Sequence, residues 1–477
     1  MARSVRPAPD PRLITALVAA RATGSVIRRL GRGGGTAAPG LIADRIDPGM
    51  LGKIARRLPA GSVVVAGTNG KTTVSRMLAD ILQADGQRVA HNRSGSNLVR
   101  GVASALAAQS DVMGRPAADV GVIESDEAAF PEIVRQVQPS IIVLNNLFRD
   151  QLDRYGELDT ISKSWQSSLQ RLPASTRVVV NLDDPTLAAI TESIPAQRIG
   201  FGLSDPNPLL LLGSLPHAAD AKVCRDCGQN LLYDQLYSAH LGAWRCPGCG
   251  RTRPSLAYAG SRITLDGLEG VNVEVTRARQ SDCLNAALHV PGLYNAYNAT
   301  AAIAAASELD VPAETIVQAL AGYRSAFGRI ERVTYQGRQL TLALVKNPVG
   351  FNETLRMLTL ATDGLTTPTL IAINDLAADG RDVSWLWDVD FEMLCDGTAP
   401  LSTTGIRGPD MANRLKYAGL PDERIRLLPQ DLAAGLDAFV QSLPAGASGY
   451  LLLTYTALLD LRQTLADRGA VAQFWEQ

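Results

Sequence analysis

Residues 67–73 read Gly-Thr-Asn-Gly-Lys-Thr-Thr, and the chain on either side of them decides the fold. An apolar run, Val63 to Ala66, leads in. A helical pattern follows, with Val74, Met77, Leu78, Ile81 and Leu82 on one face. Strand, glycine loop, Lys-Thr and helix together describe a phosphate cradle. Backbone N–H groups and the helix N-terminus hold the anion, Lys71 reaches the outer phosphates, and Thr72 can ligate Mg²⁺. Common spacing puts the first glycine at position 65, where this chain has Val65, so the loop is a shortened Gly-x-x-Gly-Lys-Thr. A plain glycine turn is the alternative, and it leaves Lys71-Thr72 unexplained.

Outward from the loop, short β-rich runs alternate with helical stretches. Asp119–Ile123, Ile141–Asn145 and Val178–Asn181 are such runs, each followed by polar or acidic residues. This predicts a mostly parallel sheet covered by helices, with ligands at the strands' C-terminal ends. Residues 1–50 read as a helical, glycine-rich lead-in, and 51–330 as an ATP-binding central domain of α/β type. Residues 205–258 interrupt that pattern as an insert. A third segment, 331–477, carries further strands at Thr369–Ile373 and Tyr450–Leu453 and reads as a second α/β unit.

Composition narrows the class. The 477 residues suffice for about three domains. The 46 Lys and Arg nearly cancel the 47 Asp and Glu, which argues against a broad nucleic-acid surface. No apolar run reaches the ~20 residues of a membrane span. Leu13 to Ala20 follows Arg3 and Arg6 in the manner of a signal peptide, but Pro7, Pro9, Asp10 and Pro11 break the approach. A short amphipathic helix is the reading preferred there. These features suit a cytosolic protein that acts at the inner face of the membrane.

Two clusters add chemistry. Glu124-Ser125-Asp126-Glu127 follows a strand, where a carboxylate can hold the Mg²⁺ that bridges phosphates or can simply be solvated. Cys224-x-x-Cys227 and Cys246-x-x-Cys249 lie eighteen residues apart. That spacing predicts two knuckles closing a structural Zn²⁺ site, with no ligand position left open for catalysis. A nucleic-acid-reading ribbon is the rival. Cys283 and Cys395 read as small buried apolar residues.

Taken together these motifs resemble the ATP-dependent Mur ligases and their folylpolyglutamate synthase relatives. The resemblance rests on Gly67–Thr73, Glu124, Asn146 to Gly156, Gly292-Leu293-Tyr294-Asn295-Ala296-Tyr297-Asn298 and Gly328-Arg329-Ile330-Glu331, in that order. It implies that Gly67, Thr68, Asn69, Gly70, Lys71, Thr72, Thr73, Asn295, Asn298 and Arg329 bind ATP. It also implies that Thr72, Glu124 and Gln151 serve magnesium. The departures are informative. Gln151 replaces the family's His, Trp165 stands where a modified lysine falls, with Lys163 two positions away, and Lys346 replaces a His before Asn347-Pro348. A Mur-like core with a four-cysteine insert resembles, more narrowly, the MurT family of lipid II isoglutaminyl synthase subunits, as do Asn92 to Asn97 and Asp379-Gly380-Arg381-Asp382-Val383-Ser384-Trp385.

That resemblance implies amidation of the D-glutamate α-carboxyl of the lipid II stem peptide, through an acyl phosphate and ammonia. A separate GatD-like glutaminase would supply the ammonia, with Asp382 (or Asp379) lent to the partner's catalytic His. The alternatives are an amino-acid-adding ligase and a nucleotide-regulated binding module without catalysis.

Overall fold

The computed structural model describes residues 10–29, 38–92, 97–149, 158–324, 330–360 and 365–471. The Val63–Ala66 run becomes β1 (Ser62–Ala66), buried along its whole length. Such runs need cover on both sides, and the sheet they form has it. Its other strands are β2 (Val89–His91), β3 (Val120–Glu124), β4 (Ile141–Leu144), β5 (Arg177–Asn181), β6 (Gln197–Leu203), β9 (Tyr258–Asp266), β10 (Gly270–Arg277) and β11 (Asp282–Leu288). The order is β11-β10-β9-β6-β5-β4-β1-β3-β2. Pairing is parallel from β2 to β9 and antiparallel through β10 and β11.

Alternation along β1 divides the core. Val63 and Val65 face the helices Lys71–Ala84 and Leu293–Ser307. Val64 and Ala66 face the N-terminal helices Pro11–Arg29 and Met50–Ala55 together with Phe130–Val137. The five apolar residues read from the sequence as one helix face are all fully buried. Seven alanines among the fifteen residues of Leu293–Ser307 give it a thin profile that lets it lie against both the sheet and the phosphate-loop helix.

Between β6 and β9 the chain leaves the sheet for the insert, whose hairpin is β7 (Leu232–Ser238) and β8 (Leu241–Arg245). A second sheet follows, built from β12 (Ile330–Tyr335), β13 (Arg338–Leu344), β14 (Thr369–Ala372), β15 (Leu401–Thr404), β16 (Ile425–Leu427) and β17 (Ser448–Leu453). Its order is β12-β13-β17-β14-β15-β16, parallel except for β12.

Two expectations need correction. Cys283 and Cys395 are exposed rather than buried. Cys283 lies on β11, the sheet's edge strand, at a position where side chains alternate outward. The Cys395 thiol donates to the Ala418 carbonyl at 3.1 Å. Among the described residues no helix is long and apolar enough to cross a membrane.

Candidate active site

β1 sits between β3 and β4, so the loop after it opens where neighbouring connections diverge. Gly70 begins the helix Lys71–Ala84 with φ of 83°. A Cβ there would run into Asn298 Oδ1 and come within 2.8 Å of Asn145 Nδ2, so only glycine fits. The loop is pinned from the β4 side. Asn69 N donates to Asn146 Oδ1 at 2.8 Å, and Thr68 Oγ1 accepts from Phe148 N at 2.9 Å and donates to its carbonyl at 3.0 Å.

Carboxylates close the other side. Thr72 Oγ1 donates to Glu124 Oε1 at 3.1 Å. Asn92 clamps the Glu124 backbone twice, accepting from its N–H and donating to its carbonyl, both at 2.9 Å. Lys71 Nζ lies 3.1 Å from both Glu127 Oε1 and the Thr68 carbonyl, and Lys71 and Glu127 are both buried. A hydroxyl and a carboxylate in contact are hard oxygen donors, and they fit Mg²⁺.

From the N-terminal part of Leu293–Ser307, Asn298 reaches the loop at Gly70, and Asn295 supports Asn298. Asn298 Nδ2 donates to Asn295 Oδ1 at 3.0 Å, and Asn295 Nδ2 to the Pro291 carbonyl at 2.7 Å. Gly67–Thr73, Glu124, Asn295 and Asn298 therefore converge. Gln151 and Arg329 lie outside the described residues. Lys163 is exposed on the helix Leu158–Leu169, while Trp165 is fully buried and donates its indole N–H to the Glu127 carbonyl at 2.8 Å.

Four further contributors have no site role of their own in the sequence reading, although Asn92, Glu127 and Asn347 lie in stretches it quotes. Asn92 and Glu127 are two. The third is Asn181-Leu182-Asp183-Asp184 at the end of β5. Asp184 accepts from Leu147 N at 2.8 Å and so fixes the loop that pins Thr68. Burial pushes the Asp183 carboxyl above its usual range, against Arg253 at 2.6 Å and Tyr297 at 2.7 Å. An acidic pair at a strand end was the available signal, as at Glu124. The fourth is Asn347, whose Nδ2 donates to Asn69 Oδ1 at 3.0 Å and ties the second sheet to the phosphate loop.

The insert spans the two sheets. The Arg356 guanidinium donates to the Tyr237 and Leu209 carbonyls at 2.5 and 3.3 Å. His217 Nδ1 lies 2.7 Å from Asp390 Oδ1, and Arg149 pairs with Asp220 and, at 3.4 Å, with Asp388. Its cysteines form two equivalent knuckles. Cys224 N donates to the Gln229 carbonyl at 2.8 Å and Cys246 N to the Arg251 carbonyl at 2.7 Å, while Gly228 N and Gly250 N close back onto Cys224 and Cys246. The four Sγ atoms lie within 4.8 Å of one another, with the nearest pairs at 3.4 and 3.6 Å. Four thiolates around zinc at ~2.3 Å stand about 3.8 Å apart, so the set fits a structural Zn²⁺.

Asp379 and Asp382 differ in setting. Asp379 is buried and accepts from the Thr456 N–H at 2.8 Å and from its hydroxyl. Asp382 is exposed, and the Ser384 hydroxyl and backbone N–H hold its carboxyl below the usual range.

Similarity to known proteins agrees with this geometry. The family model of the Mur ligase middle domain matches residues 65–223, and that of the MurT ligase C-terminal domain matches 344–458. A pseudomurein peptide ligase type C from Methanothermus fervidus superposes with a TM-score of 0.65 at 17% identity, over 85% of this chain and 78% of that one. The fold is thus that of the Mur ligases. Two relatives go further. The lipid II isoglutaminyl synthase (glutamine-hydrolyzing) subunit MurT of Streptococcus pneumoniae is 34% identical over 95% of this chain and 97% of its own length. That of Staphylococcus aureus strain COL is 30% identical over 85% and 87%. The chain belongs to the MurT family.

Proposed function

We propose that this chain is the ATP-using subunit of a lipid II isoglutaminyl synthase, which amidates the D-glutamate α-carboxyl of the stem peptide. The observation that carries this is the Gly67–Thr73 loop with Thr72 bonded to Glu124 and Asn298 against Gly70, in a chain of MurT family. A carboxylate is a poor electrophile because oxide would have to leave. Transfer of the γ-phosphoryl to it gives an acyl phosphate, ammonia attacks the acyl carbon, and phosphate departs as the amide forms. In this reading the Gly67–Thr73 N–H groups and Lys71 neutralise the transferring phosphoryl, Asn295 and Asn298 border the adenine side, and Arg329 serves the phosphates. Thr72 and Glu124, with Gln151, would hold Mg²⁺, which supplies charge neutralisation between the phosphates when bound.

Ammonia would come from a GatD-like glutaminase partner. Asp382 would meet that partner and orient its His, a role its exposure supports where Asp379 is buried. The Cys224, Cys227, Cys246 and Cys249 set would hold zinc structurally. The chain would act on its lipid-linked substrate at the inner face of the membrane.

The test is purified chain with a co-purified glutaminase, glutamine, ATP and lipid II. A mass change of about one dalton on lipid II, the exchange of hydroxyl for amine, is expected. Lys71→Ala should abolish both that change and ATP turnover. Amino acid incorporated in place of ammonia, or normal turnover in Lys71→Ala, would overturn the reading.

A further inference from the structure

Lys71 carries the positive charge meant for the nucleotide, yet here its ammonium rests on a carboxylate. Glu127 Oε1 is 3.1 Å from Lys71 Nζ, and both side chains are buried, at 8% and 4% exposure. A buried ammonium with no anion beside it is costly, and Glu127 is the carboxylate that offsets that cost at Lys71. The rest of the loop fixes that counter-ion. Trp165, fully buried and tilted against Phe130 at 4.6 Å, donates to the Glu127 carbonyl. Three residues earlier, Glu124 is clamped by Asn92 and bonded to Thr72. One short loop thus offers one carboxylate to the metal-side hydroxyl and another to the lysine.

We propose that Glu127 is a positioning residue: a stand-in anion, its backbone held by Trp165, that holds Lys71 charged and aimed into the Gly67–Thr73 loop and that yields the lysine to an incoming phosphate. This rests on the nucleotide reading of the loop. It has a two-sided consequence. Glu127 opposes the triphosphate through its own negative charge, so it weakens ground-state binding. It also keeps Lys71 in register for phosphoryl transfer, so it aids turnover.

The full-length chain, alone and with its glutaminase, separates these effects. Binding is read with a ribose-labelled fluorescent ATP, with and without Mg²⁺, and turnover with lipid II and glutamine. Glu127→Gln is expected to bind the labelled ATP roughly fivefold tighter or better under both conditions, because a like charge is gone. Its kcat should fall about tenfold or more. A residue with only a structural role would lose affinity and turnover together. Unchanged or weaker binding overturns the proposal, as does a loss seen only with Mg²⁺, which would make Glu127 a metal ligand. Should Glu127→Gln not fold, Glu127→Asp carries the test. Its carboxylate draws back from Lys71, so an intermediate gain in affinity with an intermediate loss of turnover is expected, and parental values for both overturn it. Wild-type protein that leaves the labelled ATP free overturns the nucleotide reading itself, and this inference with it.

Discussion

Glu353 shows how a single buried acid can be read for sign. It sits on the helix Pro348–Leu360, and burial raises its carboxyl above the usual 4.5, against the opposing pull of Arg356 and a hydrogen bond with Ser238. A group whose folded value is raised favours the folded state while protonated. That contribution is full below the unfolded value and is lost as pH rises through the folded one. Glu353→Gln should therefore melt above the parent near pH 8, and the gap should close by about pH 4, where both forms are neutral. Calorimetry at the two pH values checks this, and an equal gap at both would contradict it. At this scale the sequence was legible where a side chain acts through its immediate neighbours along the chain. Lys71, Thr72 and Gly70 follow from local grammar. Glu127 does not, because its partners lie 56 and 38 residues away, and the pairing exists only once β1, β3 and the Trp165 helix have assembled.

Elements with strong periodicity were placed to within a few residues. The run read as 141–145 is a strand over Ile141–Leu144, and that read as 178–181 is a strand over Arg177–Asn181. The insert was legible only as a cysteine spacing, since its hairpin and the contacts of His217, Tyr237 and Arg149 have no local signature. Its metal is testable directly. Elemental analysis should find about one zinc per chain, and Cys246→Ser should lose it. Metal-free protein should melt several degrees lower, since structural zinc contributes folding free energy of about 10 kcal/mol and each ~1 kcal/mol moves the transition of a 477-residue chain by about 1 °C. Chain purified without metal, with an unchanged melting curve in Cys246→Ser, would remove zinc from the account.

Across the whole molecule, the two proposed sites lie on different sheets. The phosphate loop belongs to the first, and Asp382 projects from the second. With the proposed glutaminase partner, Asp382→Asn should lose most glutamine hydrolysis while amidation from added ammonium salts persists. Full glutamine hydrolysis in that variant would shift the role to Asp379 or remove it. How the sheets meet was not legible, because it depends on contacts such as Asn69 with Asn347, 278 residues apart. That contact is between neutral amides, whereas Arg149 and Asp388, 3.4 Å apart, join as charged groups. Dissolved electrolyte weakens attraction between exposed ions and leaves amide bonds nearly untouched. The amide contact should thus keep its grip from dilute buffer to brine, while the Arg149–Asp388 attraction slackens as salt rises.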